Sequence, residues 1–142
     1  MVMTEINNAG GINGKKLEID FQDHKCDPKT AVAGFQQLNS KGVKIFTSAA
    51  CTGTMVALAP ELKGNKAVFL SDVLSGGKIT GLSANIFRNW GSDVNESKLF
   101  AEKIKASGYK KVAIIYEDTD YAKGIKLNLE KFLVKYKRYQ KI

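Results

Sequence analysis

The sequence predicts an α/β fold, a doubly wound parallel sheet with flanking helices, and three observations support it. Short apolar, β-branched segments alternate with segments of helical periodicity. Helical segments of about 10–15 residues separate the strands, a length typical of right-handed crossovers between parallel strands. The composition, 44% hydrophobic and 25% charged over 142 residues, is that of a globular domain.

The chain opens with a helix, a strand and a second helix. Residues 2–11 are predicted to be the end of a helix, because two glycines stop the pattern. Residues 16–23 alternate apolar and polar side chains with the period of two that indicates a strand. Residues 27–42 are predicted to be a helix that begins with Asp27 as N-cap and Pro28 at its first position.

The middle of the chain repeats this alternation. Residues 43–49 and 66–72 are short β-branched runs and are predicted to be strands. Residues 52–65 between them have helical periodicity, although Pro60 is expected to kink or shorten that helix. A loop rich in glycine and serine, residues 73–84, follows.

The last third adds a short strand at residues 85–90 and a capped helix at residues 92–108. A strongly apolar run at residues 110–118 predicts a buried strand, and residues 121–136 predict a final helix. The order is therefore α-β-α-β-α-β-β-α-β-α.

Two lobes are expected, with the change of lobe in the irregular stretch 73–95. We predict a first lobe at residues 1–92 that lacks its first strand, because no strand precedes the opening helix. We predict that residues 93–142 begin a second lobe, with a helix, a strand, a helix and a basic tail. The two-lobe architecture is therefore expected to be incomplete and the chain to be truncated.

The formal net charge of +8 comes largely from the C-terminal end, where basic residues alternate with tyrosines. No nucleic acid partner is expected, because no nucleic-acid-reading motif accompanies this charge and a solvated basic tail is common. No apolar run has the ~18 residues that a membrane span needs. The first residues also lack the basic-then-apolar order of a signal peptide.

Motifs for catalysis or for a cofactor are weak. "GGINGKK" departs from a phosphate-binding loop, because Ala9 and Lys16 stand where that motif has Gly and Ser/Thr. The carboxylates of "EDTDYAKG" lack the third oxygen ligand of a calcium loop, since Ala122 takes its place. His24 is the only histidine and has no fixed partner in the sequence. We therefore expect no enzyme activity, no metal and no cofactor.

Small hydroxyl residues follow two of the predicted strands: Thr52 and Thr54 after one, Ser71 and Ser75 after the next. In an open α/β sheet, ligands bind outside the carboxyl ends of the strands, where helix N-termini favour anions. Hydroxyls and free helix N–H groups suit a carboxylate. The alternative is that Thr52 serves only to cap its helix.

The two cysteines, Cys26 and Cys51, each follow a predicted strand and precede a helix. If the two strands are parallel neighbours about 4.8 Å apart, this placement is compatible with a disulfide, whose Cα atoms lie roughly 4.4–6.8 Å apart. A disulfide would indicate an oxidising compartment. Two separate buried thiols are an equally good interpretation of the residues alone.

The segment "EINNAGGINGKKLEIDFQDHKCDPKTAVAGFQQLNSKGVKIFTSAACTGT" resembles the leucine/isoleucine/valine-binding proteins of branched-chain amino acid ABC transporters. These are type I periplasmic solute-binding proteins. "VFLSDVLS", "IFRNW" and "KKVAIIYEDTDYAKG" follow in the order of that family. The resemblance extends to about residue 133 and implies that Cys26 and Cys51 form a disulfide.

The resemblance also implies a ligand site. Thr52 stands where the family binds the carboxylate of the ligand, and Val73 and Ser75 where it holds the α-amino and carboxylate ends. Tyr121 would come from the facing wall of the cleft, in the second lobe. Val73 and Leu74 are bulkier than the residues usual at this site, so we expect an amino acid or a similar small molecule.

The resemblance implies an extracytoplasmic or periplasmic solute-binding protein that presents its ligand to an ABC permease. Exposed sheet edges and apolar faces predict self-association or exchange of elements between chains. One alternative is a ligand-sensing regulatory domain of the same fold. A small flavodoxin-like α/β enzyme is another, although the chain lacks the phosphate loop that such an enzyme would need.

Overall fold

A computed structural model of the chain describes residues 1–134. The basic tail and the last two residues of the final predicted helix, residues 135–142, lie outside this part. The elements in chain order are α1 Val2–Asn8, α2 Pro28–Ser40, β1 Ile45–Thr47, α3 Thr52–Gly64, β2 Val68–Ser71, a 3₁₀ turn Gly77–Ile79, β3 Ile86–Arg88, α4 Asp93–Ala106 and α5 Asp120–Val134.

The three strands form one parallel sheet in the order β1-β2-β3. Ile45 pairs with Val68, and Phe69 pairs with Ile86 in the next ladder. Because each strand is joined to the next by a connection that crosses the sheet, their carboxyl ends all lie at one edge. The predicted α/β class with parallel pairing is confirmed.

The hydrophobic core lies between α2, α3 and one face of the sheet. Phe35 of α2 and Phe46 of β1 stack with ring centroids 4.7 Å apart. The buried residues of this cluster come from both helices, from β2, from the turns that precede α3 and β2, and from the loop and 3₁₀ turn after β2: Ala31, Phe35, Ala49, Met55, Leu58, Leu62, Ala67, Phe69, Leu74 and Ile79. The opposite face of the sheet is open, since Leu70 and Phe87 are exposed there.

Helix boundaries follow the predicted signals closely. The side chain of Asp27 accepts the Thr30 N–H and so caps α2, with Pro28 as the first helical residue. Pro60 lies inside α3, yet the helix continues to Gly64, so the predicted shortening is wrong. Packing of α3 against α2 and the sheet outweighs the one backbone hydrogen bond that proline removes.

Two predicted strands are absent from the described part of the chain. Residues 16–23 and 110–118 form no strand and have no ladder partner among residues 1–134. Ile115 is 99% exposed, so the predicted burial of residues 110–118 is also wrong, and Phe21 in the other segment is 82% exposed. The period of two describes side-chain direction, whereas a strand also needs a neighbour for its backbone hydrogen bonds.

The last two helices pack against each other, and α5 also contacts α3 and the 3₁₀ turn. The buried side chains of this region are few: Asp93, Ser97, Ala101 and Leu133. Within residues 1–134, no helix combines the length and the apolar character needed to cross a bilayer. The contacts of α5 with α3 bring the first residue of α5, Asp120, to the carboxyl edge of the sheet.

Candidate functional site

The candidate site lies at the carboxyl edge of the sheet. There β1 leads through a short turn into α3, and β2 leads into the loop that ends in the 3₁₀ turn. The first three helical N–H groups of α3 have no acceptor within their own helix. A helix N-terminus at this edge favours a negatively charged ligand group.

Thr52 is the first residue of α3 and is almost fully buried, at 3% exposure. Its Oγ1 is buried and has no hydrogen-bond partner among the described residues. Gly76 covers it closely, because a Cβ built on Gly76 would lie 2.5 Å from Thr52 Oγ1. Any larger residue at position 76 would therefore collide with this hydroxyl.

The other small hydroxyl residues shape the turns. Thr54 donates its hydroxyl to the Cys51 carbonyl at 2.7 Å. Ser71 Oγ accepts the N–H groups of Val73 and Leu74, at 3.2 and 2.9 Å, and so holds the start of the loop. Thr54 and Ser71 are therefore engaged within the protein, in contrast to Thr52.

The remaining predicted residues of the loop, Val73 and Ser75, differ in their surroundings. Val73 is exposed, at 45%. The carbonyl of Ser75 accepts the Asp93 N–H at 3.0 Å and the Arg88 guanidinium at 3.3 Å. These bonds tie the loop to the first residue of α4 and to β3, so the carbonyl of Ser75 already has partners.

Tyr121 is the second residue of α5 and is 43% exposed. Its neighbour Asp120 forms an ion pair with Lys78 of the 3₁₀ turn, with Nζ 2.6 Å from Oδ1. The hydrogen bond from Lys78 holds the pKa of Asp120 below its ordinary value. Asp120 also packs on Gly53, the residue after Thr52. The N-termini of α3 and α5 therefore meet at the site.

The disulfide between Cys26 and Cys51 is present, with the two Cα atoms 5.5 Å apart. Cys51 is the N-cap of α3 and immediately precedes Thr52. The cysteines therefore meet as predicted, although Cys26 follows an unpaired segment rather than a strand of the sheet. His24 lies beside them, with its Nδ1 accepting the Cys26 N–H at 3.0 Å. Because the bond consumes both sulfur atoms, these three residues are not available together as metal ligands.

Sequence reasoning missed four residues that build the site: Arg88, Gly76, Lys78 and Asp120. Arg88 holds the loop through the carbonyl of Gly76 at 3.1 Å and through Thr80 Oγ1 at 2.6 Å. Two consecutive glycines, Gly76 and Gly77, are a sequence feature that indicates a place where the backbone packs closely against neighbouring residues. The ion pair across 42 positions left no local pattern in the sequence.

Three comparisons place this geometry among known proteins. The sequence profile of the family described as "Periplasmic binding protein" matches residues 1–136. The Leu/Ile/Val-binding protein homolog 3 of Brucella melitensis is 32% identical over 123 residues, which are 84% of this chain and 33% of that protein. The leucine-, isoleucine-, valine-, threonine-, and alanine-binding protein of Pseudomonas aeruginosa is 30% identical, over 92% of this chain and 36% of that protein. The chain thus spans about a third of the length of these relatives.

Solved structures share the fold. The branched-chain amino acid transporter substrate binding protein of Streptococcus pneumoniae, in complex with isoleucine, matches with a TM-score of 0.81 at 24% identity, over 96% of this chain and 39% of that one. A solute binding protein of an ABC transporter from R. palustris, in complex with 4-hydroxybenzoate, matches with a TM-score of 0.81 at 20% identity, over 99% of this chain and 40% of that one. At these identities the likeness concerns the fold.

Proposed function

The chain belongs to the periplasmic binding protein family, and on that premise we propose that it is part of an extracytoplasmic solute-binding protein of an ABC transporter. The curated relatives are Leu/Ile/Val-binding proteins. We propose an amino acid or a similar small molecule as the ligand, an ABC permease as the partner, and no covalent chemistry. The disulfide supports an oxidising compartment such as the periplasm.

The observation that carries this proposal is that the Thr52 hydroxyl has no hydrogen-bond partner within residues 1–134. A buried hydroxyl without a hydrogen bond is unfavourable and rare, so Oγ1 is suited to accept a partner from outside. It lies at the N-terminus of α3, where the helix dipole and free N–H groups favour a carboxylate. We propose that Thr52 and the first turn of α3 hold the carboxylate of the ligand.

We propose that the other predicted residues complete the site. Ser75 and Val73 lie on the loop that covers Thr52, so movement of this loop admits the ligand. Tyr121 approaches from α5, which we assign to the second lobe at residues 93–142. Closure of two lobes about a hinge would then bury the ligand between α3 and α5.

Calorimetric titration of the full chain with a panel of free amino acids tests this proposal. The expected result is binding that weakens at least tenfold in Thr52→Val, because the charge-assisted hydrogen bond to the ligand is lost. Thr4→Val is the matched control, since Thr4 is exposed on α1, outside the elements that build the site, and should leave affinity unchanged. Equal affinity in wild type and Thr52→Val would contradict the role of Thr52.

We also propose that the chain self-associates through the open face of the sheet. The exposed side chains of Ile45, Leu70 and Phe87 lie there on neighbouring strands. An apolar surface of this kind favours association with a second copy. Light scattering at increasing concentration is expected to show mass above that of one chain, and a strictly monomeric species would contradict the proposal.

A further inference from the structure

Lys78 and Asp120 form an ion pair that the function proposed above does not use. The ammonium of Lys78 lies 2.6 Å from Asp120 Oδ1, and both side chains are about half exposed. We propose that the two are specificity-determining residues that bind the two charged ends of a zwitterionic ligand, exchanging their mutual contact for contacts with it. This inference rests on the proposed function and names the residues that select its ligand.

The position of Asp120 supports this role. Its Oδ2 lies 3.1 Å from the position that a Cβ would take on Gly53, the second residue of α3. Gly53 directly follows Thr52, so the carboxylate of Asp120 lies beside the proposed carboxylate site. The absence of a side chain at Gly53 is what permits this close approach.

The position of Lys78 places the opposite charge nearby. Lys78 belongs to the 3₁₀ turn that follows Ser75 and Gly76, the loop that covers Thr52. Its ammonium reaches across to α5 and contacts the first residue of that helix. One positive and one negative group therefore flank the N-terminus of α3, on two elements that contact each other.

Electrostatics favour the exchange of partners. An ion pair this exposed contributes little to stability, so opening it costs little. The hydrogen bond from Lys78 holds the pKa of Asp120 below its ordinary 3.8, and even that ordinary value leaves the carboxylate charged at neutral pH once the contact opens. The ligand carboxylate held by Thr52 and the first turn of α3 also accepts from Lys78, and the ligand ammonium donates to Asp120, both through charge-assisted hydrogen bonds.

A ligand that carries a carboxylate and no ammonium group would bind less well at this pair. Its negative charge would enter beside Asp120 without offering a positive group in return. Like charges at close range repel, so the site should discriminate against such a monoanion. The proposed pair therefore selects amino acids over the corresponding carboxylic acids.

Calorimetry with two matched ligand pairs tests this selection on the full chain: leucine against 4-methylpentanoate, and alanine against propanoate. Each pair differs by the α-amino group. We expect wild type to prefer the amino acid, and Asp120→Asn to reduce that preference about tenfold. Asp20→Asn is the control, because the Lys41–Asp20 pair is similarly exposed, at 2.9 Å, and lies elsewhere.

The outcomes separate this inference from the proposed function. An unchanged preference in Asp120→Asn overturns the inference and leaves the proposed function standing. Equal tightening of both ligands in Asp120→Asn also overturns it, because Asp120 would then only repel carboxylates. Failure of every ligand to bind any of the three proteins overturns both proposals. Thermal unfolding of each variant confirms that the fold is retained.

Discussion

Residues 66–72 and residues 110–118 have similar apolar, β-branched sequences, yet they adopt different structures. The first contains β2, which has a parallel neighbour on each side and a buried Phe69. The second has no ladder partner among residues 1–134 and leaves Ile115 fully exposed. The comparison shows that an apolar, β-branched sequence favours a strand, whereas pairing with neighbouring strands decides whether the strand forms.

The same contrast holds between the two regions that contain these segments. Residues 26–90, which we call the stapled region, contain the disulfide, the sheet and the core between α2 and α3. Residues 93–134, which we call the helical region, bury only a few side chains where α4 and α5 pack. Stability should therefore be concentrated in the stapled region, and three predictions test this.

The largest effect is expected from loss of the disulfide. The bond joins residues 25 positions apart, and in the chain-entropy model a loop of this size stabilises the fold by about 3.5 kcal/mol. The double variant Cys26→Ser/Cys51→Ser should lose about this much free energy of unfolding in urea, with the first loss of hydrogen-exchange protection in α2 and α3.

Reduction of the wild type with a dithiol supplies the control for that prediction, because it breaks the bond without changing any other residue. It should lower the urea midpoint to that of the double variant. A midpoint that neither change moves would show that the bond does not stabilise the stapled region.

A pair of truncations compares the two regions directly. Leu62 is fully buried in the core, so Leu62→Ala should cost about 3 kcal/mol through lost burial and the cavity left behind. Ile115 lies in the unpaired segment and is 99% exposed, so Ile115→Ala should change the free energy of unfolding by less than about 0.5 kcal/mol. Urea unfolding of both variants measures the difference, and a loss in Ile115→Ala as large as that in Leu62→Ala would remove the contrast.

Most helices and the three strands of the sheet could be predicted from the sequence, because local signals determine where these elements begin and end. The cap of α2 by Asp27 and the stops at glycine need only neighbours in the chain. The sequence did not reveal that residues 16–23 and 110–118 lack partners, because pairing is decided by distant segments. The expected shortening of α3 at Pro60 was also wrong, because the tertiary packing that keeps the helix intact is not visible in the local sequence.

The residues of the candidate site likewise fall into those that the sequence predicts and those that only the fold reveals. Thr52 is recognisable because its place after a strand and at the start of a helix is a local feature. The disulfide follows from resemblance to a known family and is confirmed. Lys78 and Asp120 escape sequence reasoning, since exposed charges are common and only the fold brings these two together across the site.

The smallest effect is expected from the cap of α2, at the edge of the stapled region. Asp27 accepts the Thr30 N–H at 2.8 Å and the Thr30 hydroxyl at 2.7 Å, and these bonds hold its pKa below the ordinary 3.8. A carboxyl whose pKa is lowered by folding stabilises the protein above the unfolded value and loses that contribution as the pH falls through the folded one. Asp27→Ala should therefore lower the thermal midpoint at neutral pH, and the difference from wild type should shrink well below pH 3.8.

Thr30→Val isolates half of this interaction, because it removes the hydroxyl donor and leaves the N–H in place. It should reduce the midpoint less than Asp27→Ala does. Its effect should also fade over the same acidic range, because a protonated carboxyl is a weaker acceptor for both donors. A midpoint difference for Asp27→Ala that persists unchanged at low pH would mean that the side chain acts through packing, and the charge at the N-terminus of α2 would then have no part in holding the stapled region together.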